Sequence, residues 1–435
     1  MHPAGRTPPA IPPRDREAAT AVVWPHPDLR PFLSQRNPKI LAIASAVSLD
    51  FQWGCTPAWW QLWKGMYEAG VDLIVTPYRG PAVQAPWWRS EDNPCYRESE
   101  ALATARGLIA RANGDAHLRG TEDHPEDTTV DKVTREVVWK SVTPRWRRHI
   151  ERILEREGDV DAVIFFSVPM NHFRGIPDDI RRRFGAAMVY YDADVPMSLP
   201  RFGGLDPNFN IYEGADPGEY DLIVSNSQGG IPDLVEMGAR RVEPLYFGVD
   251  PAFFRPMNIA KRYDVFFYGH GDAFRRDWVG TMIGEPSRAM PGADFVMGGG
   301  GYEGDIGRAR EVPSIPFNAF CEAISAARIN LNVTRTCHAT VDRTATCRPF
   351  ELAACGATIV SNPHAGIDAW FTPGEEISVV HSADEAVEAY TGLLDDPALA
   401  ERMGRQARQR VLDEHTCAQR ARQLLGYLGL DRKAV

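Results

Sequence analysis

CRPFELAACGATIVSN, residues 347–362, joins a helical run that stops at Gly356 to an apolar stretch of strand character. A strand buried on both faces is apolar throughout, and a parallel neighbour can be reached only by a crossover, usually a helix. The same alternation continues outward in both directions. Upstream lie YDVFFYGHG (263–271), ADFVMGG (293–299) and ARINLNV (327–333), and downstream lies EISVV (376–380). A second series precedes these: KILAIASAV (39–47), VDLIVTPY (71–78), DAVIFFSV (161–168), AAMVYYD (186–192), DLIVSN (221–226) and RRVEPLYF (240–247). Two such series predict an α/β chain of two Rossmann-like domains with parallel sheets.

The boundaries follow from the breaks in this rhythm. Residues 1–37 carry eight prolines by Pro31, which predicts an extended or disordered segment. A first domain is expected over 38–247, with a polar insertion at about 79–132 that shows no clear strand. The proline-bearing FGVDPAFFRPMN marks a linker over 248–262, a second domain follows over 263–412, and a C-terminal helix occupies 413–435.

At 435 residues with 44% hydrophobic and 24% charged side chains, the chain has the balance of a folded protein of two or three domains. Its net charge of −10, without a Lys/Arg stripe, argues against nucleic acid as a partner. The seven cysteines show no C-x-x-C spacing and are read as reduced thiols. No apolar run approaches the ~20 residues of a membrane span, and the N-terminus lacks the apolar core of a signal peptide, so a cytoplasmic protein is expected. A homo-oligomer remains open.

In doubly wound sheets ligands bind beyond the carboxyl ends of the strands. In YGHGDAFRRDW (268–278), Gly269 and Gly271 would let the backbone approach a diphosphate and Arg275 or Arg276 would supply charge; an ordinary turn is the alternative. Arg348 and Glu351, three apart, share a helix face. They form either a surface ion pair or a site in which Glu351 accepts ribose hydroxyls and Arg348 meets phosphate. Gly366 and the amides after it, from Ile367, either cradle a phosphate or merely turn the chain.

On the first-domain side, Asp192-Ala-Asp194 superficially looks like a metal-binding D-x-D. A divalent ion wants several hard oxygens and the segment offers two carboxylates, so a base or acceptor contact is preferred over a metal site, with loop capping as the alternative. Asp50, His172, Asp192 and Asp194 are the candidate catalytic bases, and His338 has similar standing on the other side. The run FQWGCTPAWWQLW (51–63) suits core packing, yet it holds too many rings to bury all of them. Trp53, Trp59 or Trp60 is therefore expected to contact an acceptor.

INLNVTR, CRPFELAACGATIVSN, AGIDAWFTPGEEISVV and DDPALAERMGRQARQRVLDEHT, in that order, resemble the C-terminal domain of GT-B glycosyltransferases of the glycosyl-transferases-group-1 superfamily, particularly its CgeB-like branch. GARRVEPLYFGVDPAFFRP resembles that superfamily's interdomain linker. The resemblance implies two domains facing across a cleft and transfer of a sugar from a nucleotide diphosphate donor, GDP- or UDP-linked, to a small acceptor through an O-, N- or S-nucleophile. It implies no cofactor and no metal, with arginines and helix dipoles balancing the departing diphosphate. Glu351 falls on the superfamily's ribose-binding glutamate, whereas Arg343 stands where many relatives carry a sugar-binding glutamate. A sugar-nucleotide epimerase or phosphorylase on the same fold, or a non-catalytic sugar-nucleotide binder, are the competing readings.

Overall fold

The computed structural model describes residues 36–47, 58–97, 129–202, 211–271, 273–302 and 304–431. A first sheet contains β1 (Lys39–Ala46), β2 (Asp72–Arg79), β3 (Arg89–Ser90), β4 (Ala162–Phe166), β5 (Ala187–Asp192), β6 (Leu222–Ser225) and β7 (Val242–Pro244), in the order β3-β2-β1-β4-β5-β6-β7. A second contains β8 (Tyr263–Tyr268), β9 (Phe295–Gly298), β10 (Arg310–Val312), β11 (Ala327–Asn332), β12 (Ile359–Ser361) and β13 (Ser378–Val379), in the order β10-β9-β8-β11-β12-β13. Every neighbouring pair in both sheets is parallel. In each sheet the direction of winding reverses once, between β1 and β4 and between β8 and β11. A crevice opens beyond the strand ends at such a reversal.

β1 shows why these segments are strands. Leu41 and Ile43 enter the core built with Trp146, Ile150 and Ile153, whereas Ile40, Ala42 and Ala44 enter the opposite core with Trp60, Trp63 and Met66. Alternate side chains leave opposite faces of a strand, so burial on both faces demands an unbroken apolar run. The insertion does contain a strand: β3 pairs with β2 through Ile74–Arg89 and Val75–Ser90. Two polar residues carry too little periodicity to be recognised, and β10 was missed for the same reason.

The C-terminal helix Cys417–Tyr427 returns to the first domain, where Ala421, Leu424 and Leu425 join the core of the Trp-bearing helix Ala58–Glu68. Gly65 permits the crossing, since a Cβ there would lie 2.7 Å from the Cys417 carbonyl oxygen. The linker runs beside this return: Val249 N donates to His415 O (3.1 Å) and Cys417 N donates to Val249 O (2.9 Å). Two chain crossings thus lie together at the hinge, fastened to the first domain where Lys64 Nζ meets Asp250 at 2.7 Å.

Candidate functional site in the interdomain cleft

The loop after β6 meets the loop that leads into helix Cys347–Ala354. Gln228 N donates to Arg343 O, Gly229 N to Asp342 O and Ala345 N to Asn226 O, at 2.9–3.2 Å. The Asn226 side chain is fully buried; its Oδ1 accepts from Val195 N and its Nδ2 donates to Ala345 O, both at 2.9 Å. One asparagine thereby locks the loop after β5 to the other domain. Beside it, His338 Nε2 lies 2.9 Å from Asp194 Oδ1 across the domain boundary. His338 is 4% exposed and Asp194 29%, and Asp194 Oδ2 has no hydrogen-bond partner among the described residues.

Backbone strain marks the same cleft. Ser167, at the end of β4, and Arg343 are the non-glycine residues with positive φ among those described, at 45° and 47°. Such conformations cost energy and cluster at functional sites. Ser167 Oγ nonetheless accepts from Ala193 N at 3.1 Å, steadying the start of the Asp194 loop.

The two carboxylates of Asp192-Ala-Asp194 have different roles. Asp192 is fully buried; its Oδ2 accepts from Ser198 Oγ and Tyr212 Oη, each at 2.5 Å, and its Oδ1 accepts from Asp194 N at 3.1 Å. Burial raises its pKa, opposed by the hydroxyl donors. Asp192 is thus enclosed within its own loop and closed to the cleft, which corrects its expectation as a catalytic base. His172 is likewise removed from the bases: its Nδ1 is bonded to Tyr78 Oη, and burial pushes its pKa down to about 3. Asp50 lies outside the described residues. Of His172, Asp192 and Asp194, the three of these candidates that are described, Asp194 alone is placed at the cleft with an open oxygen.

On the second-domain side, the glycine loop serves packing. Gly269 N donates to Gly298 O and Gly271 N to Gly300 O, so both amides are occupied within the protein. A Cβ on Gly271 would meet Tyr302 at 2.2 Å. Arg275 spans the β8/β11 reversal: its Nε donates to Val333 O (2.8 Å) and its Nη1 to His270 O (2.7 Å). It therefore positions the two loops, while Arg276 is exposed beside it. The Ile367 amide donates to His364 O and its side chain joins the core, leaving no phosphate contact from that residue. Gly366, at φ 78°, allows close packing, since a Cβ there would meet Arg343 Cγ at 2.5 Å.

Arg348 and Glu351 share a helix face as expected, with Arg348 Nη1 2.7 Å from Glu351 Oε2. The pair is not a surface pair. Glu351 is 1% exposed, and the Arg348 guanidinium covers the Phe320 ring at 4.5 Å. Arg343, by contrast, is 49% exposed, with its backbone N bonded to Ala365 O.

Sequence reasoning missed the polar lock beneath these loops. Asn332 Nδ2 donates to Ser361 Oγ (2.9 Å), Thr334 N to Asn362 Oδ1 (2.8 Å) and Asn362 Nδ2 to Thr334 O (3.1 Å), all buried. The signal was present in INLNVTR and IVSN, where asparagine interrupts apolar strands. A buried amide must be satisfied, and here each satisfies the other strand end.

The tryptophans are mostly structural. Trp60 is 4% exposed, 4.2 Å from the linker's Phe253 and 5.7 Å from Phe317 of the second domain, measured between ring centroids. It joins the domains at the hinge, which overturns its assignment to an acceptor. Trp59 packs edge-on to Phe166 and Tyr191 and lines a narrow hinge cavity with Tyr246, Phe247 and Arg420. Trp53 lies outside the described residues.

Residues 275–426 match a family model described as glycosyl transferase-like. No curated protein sequence matches the chain. Among solved structures, sucrose-phosphate synthase from Thermosynechococcus elongatus is similar at TM-score 0.57 and 13% identity, covering 90% of this chain and 98% of that one. Anabaena Alr3699/HepE, in complex with UDP and glucose, is similar at TM-score 0.54 and 10% identity, covering 90% and 100%. An Escherichia coli protein described as trehalose-6-phosphate, bound with UDP-2-fluoro glucose, is similar at TM-score 0.53 and 11% identity, covering 89% and 98%. At these identities the likeness establishes the fold, which is GT-B.

Proposed function

We propose that this chain, a GT-B fold whose residues 275–426 are glycosyl transferase-like, transfers a sugar from a nucleotide diphosphate donor to a small-molecule acceptor. The observation that carries the proposal is the pairing of residues 226–229 with 342–345, which brings Asp194 of the first domain against His338 of the second. Donor-side residues fall inside the glycosyl transferase-like region, and the acceptor belongs to the facing domain. The order of motifs favours the CgeB-like branch.

In this reading Asp194 is the base. Its Oδ1 is held by His338, and its Oδ2 takes the proton of the acceptor hydroxyl as that oxygen attacks the anomeric carbon and the bond to the diphosphate breaks. Arg276 and Arg343, both exposed at the carboxyl edge of the second sheet, balance the charge developing on the diphosphate, while Arg275 positions their loops. Arg348 and Glu351 separate to receive the ribose and the adjoining phosphate. The enclosure of Asp192 supports a metal-independent reaction, because it removes one of the two carboxylates a D-x-D site would use. UDP is preferred over GDP, since the similar HepE structure holds UDP.

The test is a thermal-shift panel of nucleoside diphosphates, followed by transfer of labelled sugar to small acceptors. UDP is expected to raise the melting temperature most, since a ligand bound only by the folded state stabilises it. A chain that no nucleoside diphosphate stabilises contradicts the proposal. Conversion of donor without acceptor identifies an epimerase instead. Activity is expected to survive EDTA, and recovery only with a divalent ion would return Asp194 to the role of ligand.

A further inference from the structure

Two thiols outside the cleft stand close enough to react. Cys321 lies on helix Phe317–Ala326 and Cys355 caps the end of helix Cys347–Ala354, with their sulfurs 3.8 Å apart. Cys321 is partly exposed and Cys355 is buried, so an oxidant can reach one member while the other waits behind it. We propose that Cys321 and Cys355 form a reversible disulfide that couples the redox state of the surroundings to the helix carrying Arg348 and Glu351 and to the interdomain linker.

The chemistry suits these roles. The hydrogen bond from Cys355 lowers the Cys321 pKa to about 7, whereas that bond and burial raise Cys355. Cys321 is therefore the attacking thiolate and Cys355 the resolving thiol. With a small-molecule disulfide such as oxidised glutathione as oxidant, Cys321 attacks one glutathione sulfur and expels the other glutathione as a thiolate. Cys355 then attacks the Cys321 sulfur, expels the second glutathione and passes its proton to that leaving group. Two protein thiols are oxidised and one glutathione disulfide is reduced to two thiols.

The structural consequence follows from what each cysteine touches. Cys321 Sγ donates to the linker carbonyl of Phe253 at 3.1 Å, and Phe253 packs on Trp60 of the first domain. Phe320, the neighbour of Cys321, carries the Arg348 guanidinium. Closing the sulfurs from 3.8 Å to the ~2.05 Å of a disulfide releases the Phe253 carbonyl and draws the two helices together beneath Arg348. A disulfide that forms and opens with the glutathione ratio is a sensing device rather than a structural staple. The proposal does not depend on the nature of the donor.

The full chain is equilibrated in glutathione buffers of graded ratio, its free thiols are alkylated in acid, and it is digested without reductant for mass spectrometry. The expected product is a peptide pair linking Cys321 to Cys355 that dithiothreitol reverses, while Cys95, Cys347 and Cys417 remain alkylated. In Cys355→Ser the reaction is expected to stop at Cys321 bearing glutathione. Wild-type protein in which both thiols stay alkylated under excess oxidised glutathione, or in which Cys321 carries glutathione alone, overturns the proposal. Amide exchange is expected to slow in Cys347–Ala354 and to quicken near Phe253 on oxidation, and unchanged exchange in both segments overturns the coupling.

Discussion

Asp192 and Asp194 are two residues apart and chemically identical, yet their substitution is expected to fail in different ways. Asp194→Asn keeps its place beside His338 but cannot take a proton, so kcat is expected to fall about 100-fold or more with donor KM little changed. Equal loss of donor affinity would instead make Asp194 a binding residue. Asp192→Asn disturbs a buried carboxylate that accepts two hydroxyls, and is expected to cost about 1–3 kcal/mol in urea unfolding. A third contrast concerns Arg343, whose left-handed backbone at φ 47° suits glycine better. Arg343→Gly is expected to leave stability unchanged or raised while weakening donor binding, which denaturation and titration measure separately. A drop in melting temperature would show that the arginine's own contacts outweigh the strain.

At the scale of elements, the close crossings of helices explain glycines that helix propensity alone disfavours. Gly65 and Gly392 both interrupt helices, but a Cβ on Gly65 meets the Cys417 carbonyl at 2.7 Å whereas a Cβ on Gly392 meets nothing within 4 Å. Gly392→Ala is expected to stabilise by up to about 1 kcal/mol through helix propensity. Gly65→Ala is expected to destabilise by about 1–3 kcal/mol, because the clash displaces the returning helix Cys417–Tyr427. Similar unfolding midpoints for the two variants would remove that crossing as a constraint. The strands themselves were legible because doubly buried parallel strands are apolar without interruption. β3 and β10 were not, being short edge strands whose pairing comes from the neighbour rather than from their own composition.

For the whole molecule, acid is expected to loosen the structure. His149 and His364 are held down to about 4, and His172 and His415 to about 3, burial being the main cause in each case. Above about pH 6.5 these side chains are neutral in both the folded and unfolded states, and no stability is lost through them. As pH falls, the unfolded chain takes up protons that the folded chain refuses until about pH 4 to 3, so stability declines through that window. The urea midpoint is expected to fall between about pH 6.5 and 4. A flat midpoint would mean that these histidines are protonated in the folded protein.

The second-domain side of the cleft was written locally: CRPFELAACG places Arg348 and Glu351 on one helix face, and the strand rhythm places that helix at the carboxyl edge of a sheet. These depend on residues a few positions apart. What only the tertiary structure decided depends on residues far apart in the chain. Asp194 finds His338 across 144 positions, and Asn226 finds Ala345 across 119. Whether a carboxylate is enclosed or open, whether Trp60 faces an acceptor or the hinge, and whether the Arg348–Glu351 pair is exposed or buried are matters of burial. Burial is set by which elements pack together, and no local pattern encodes that distance.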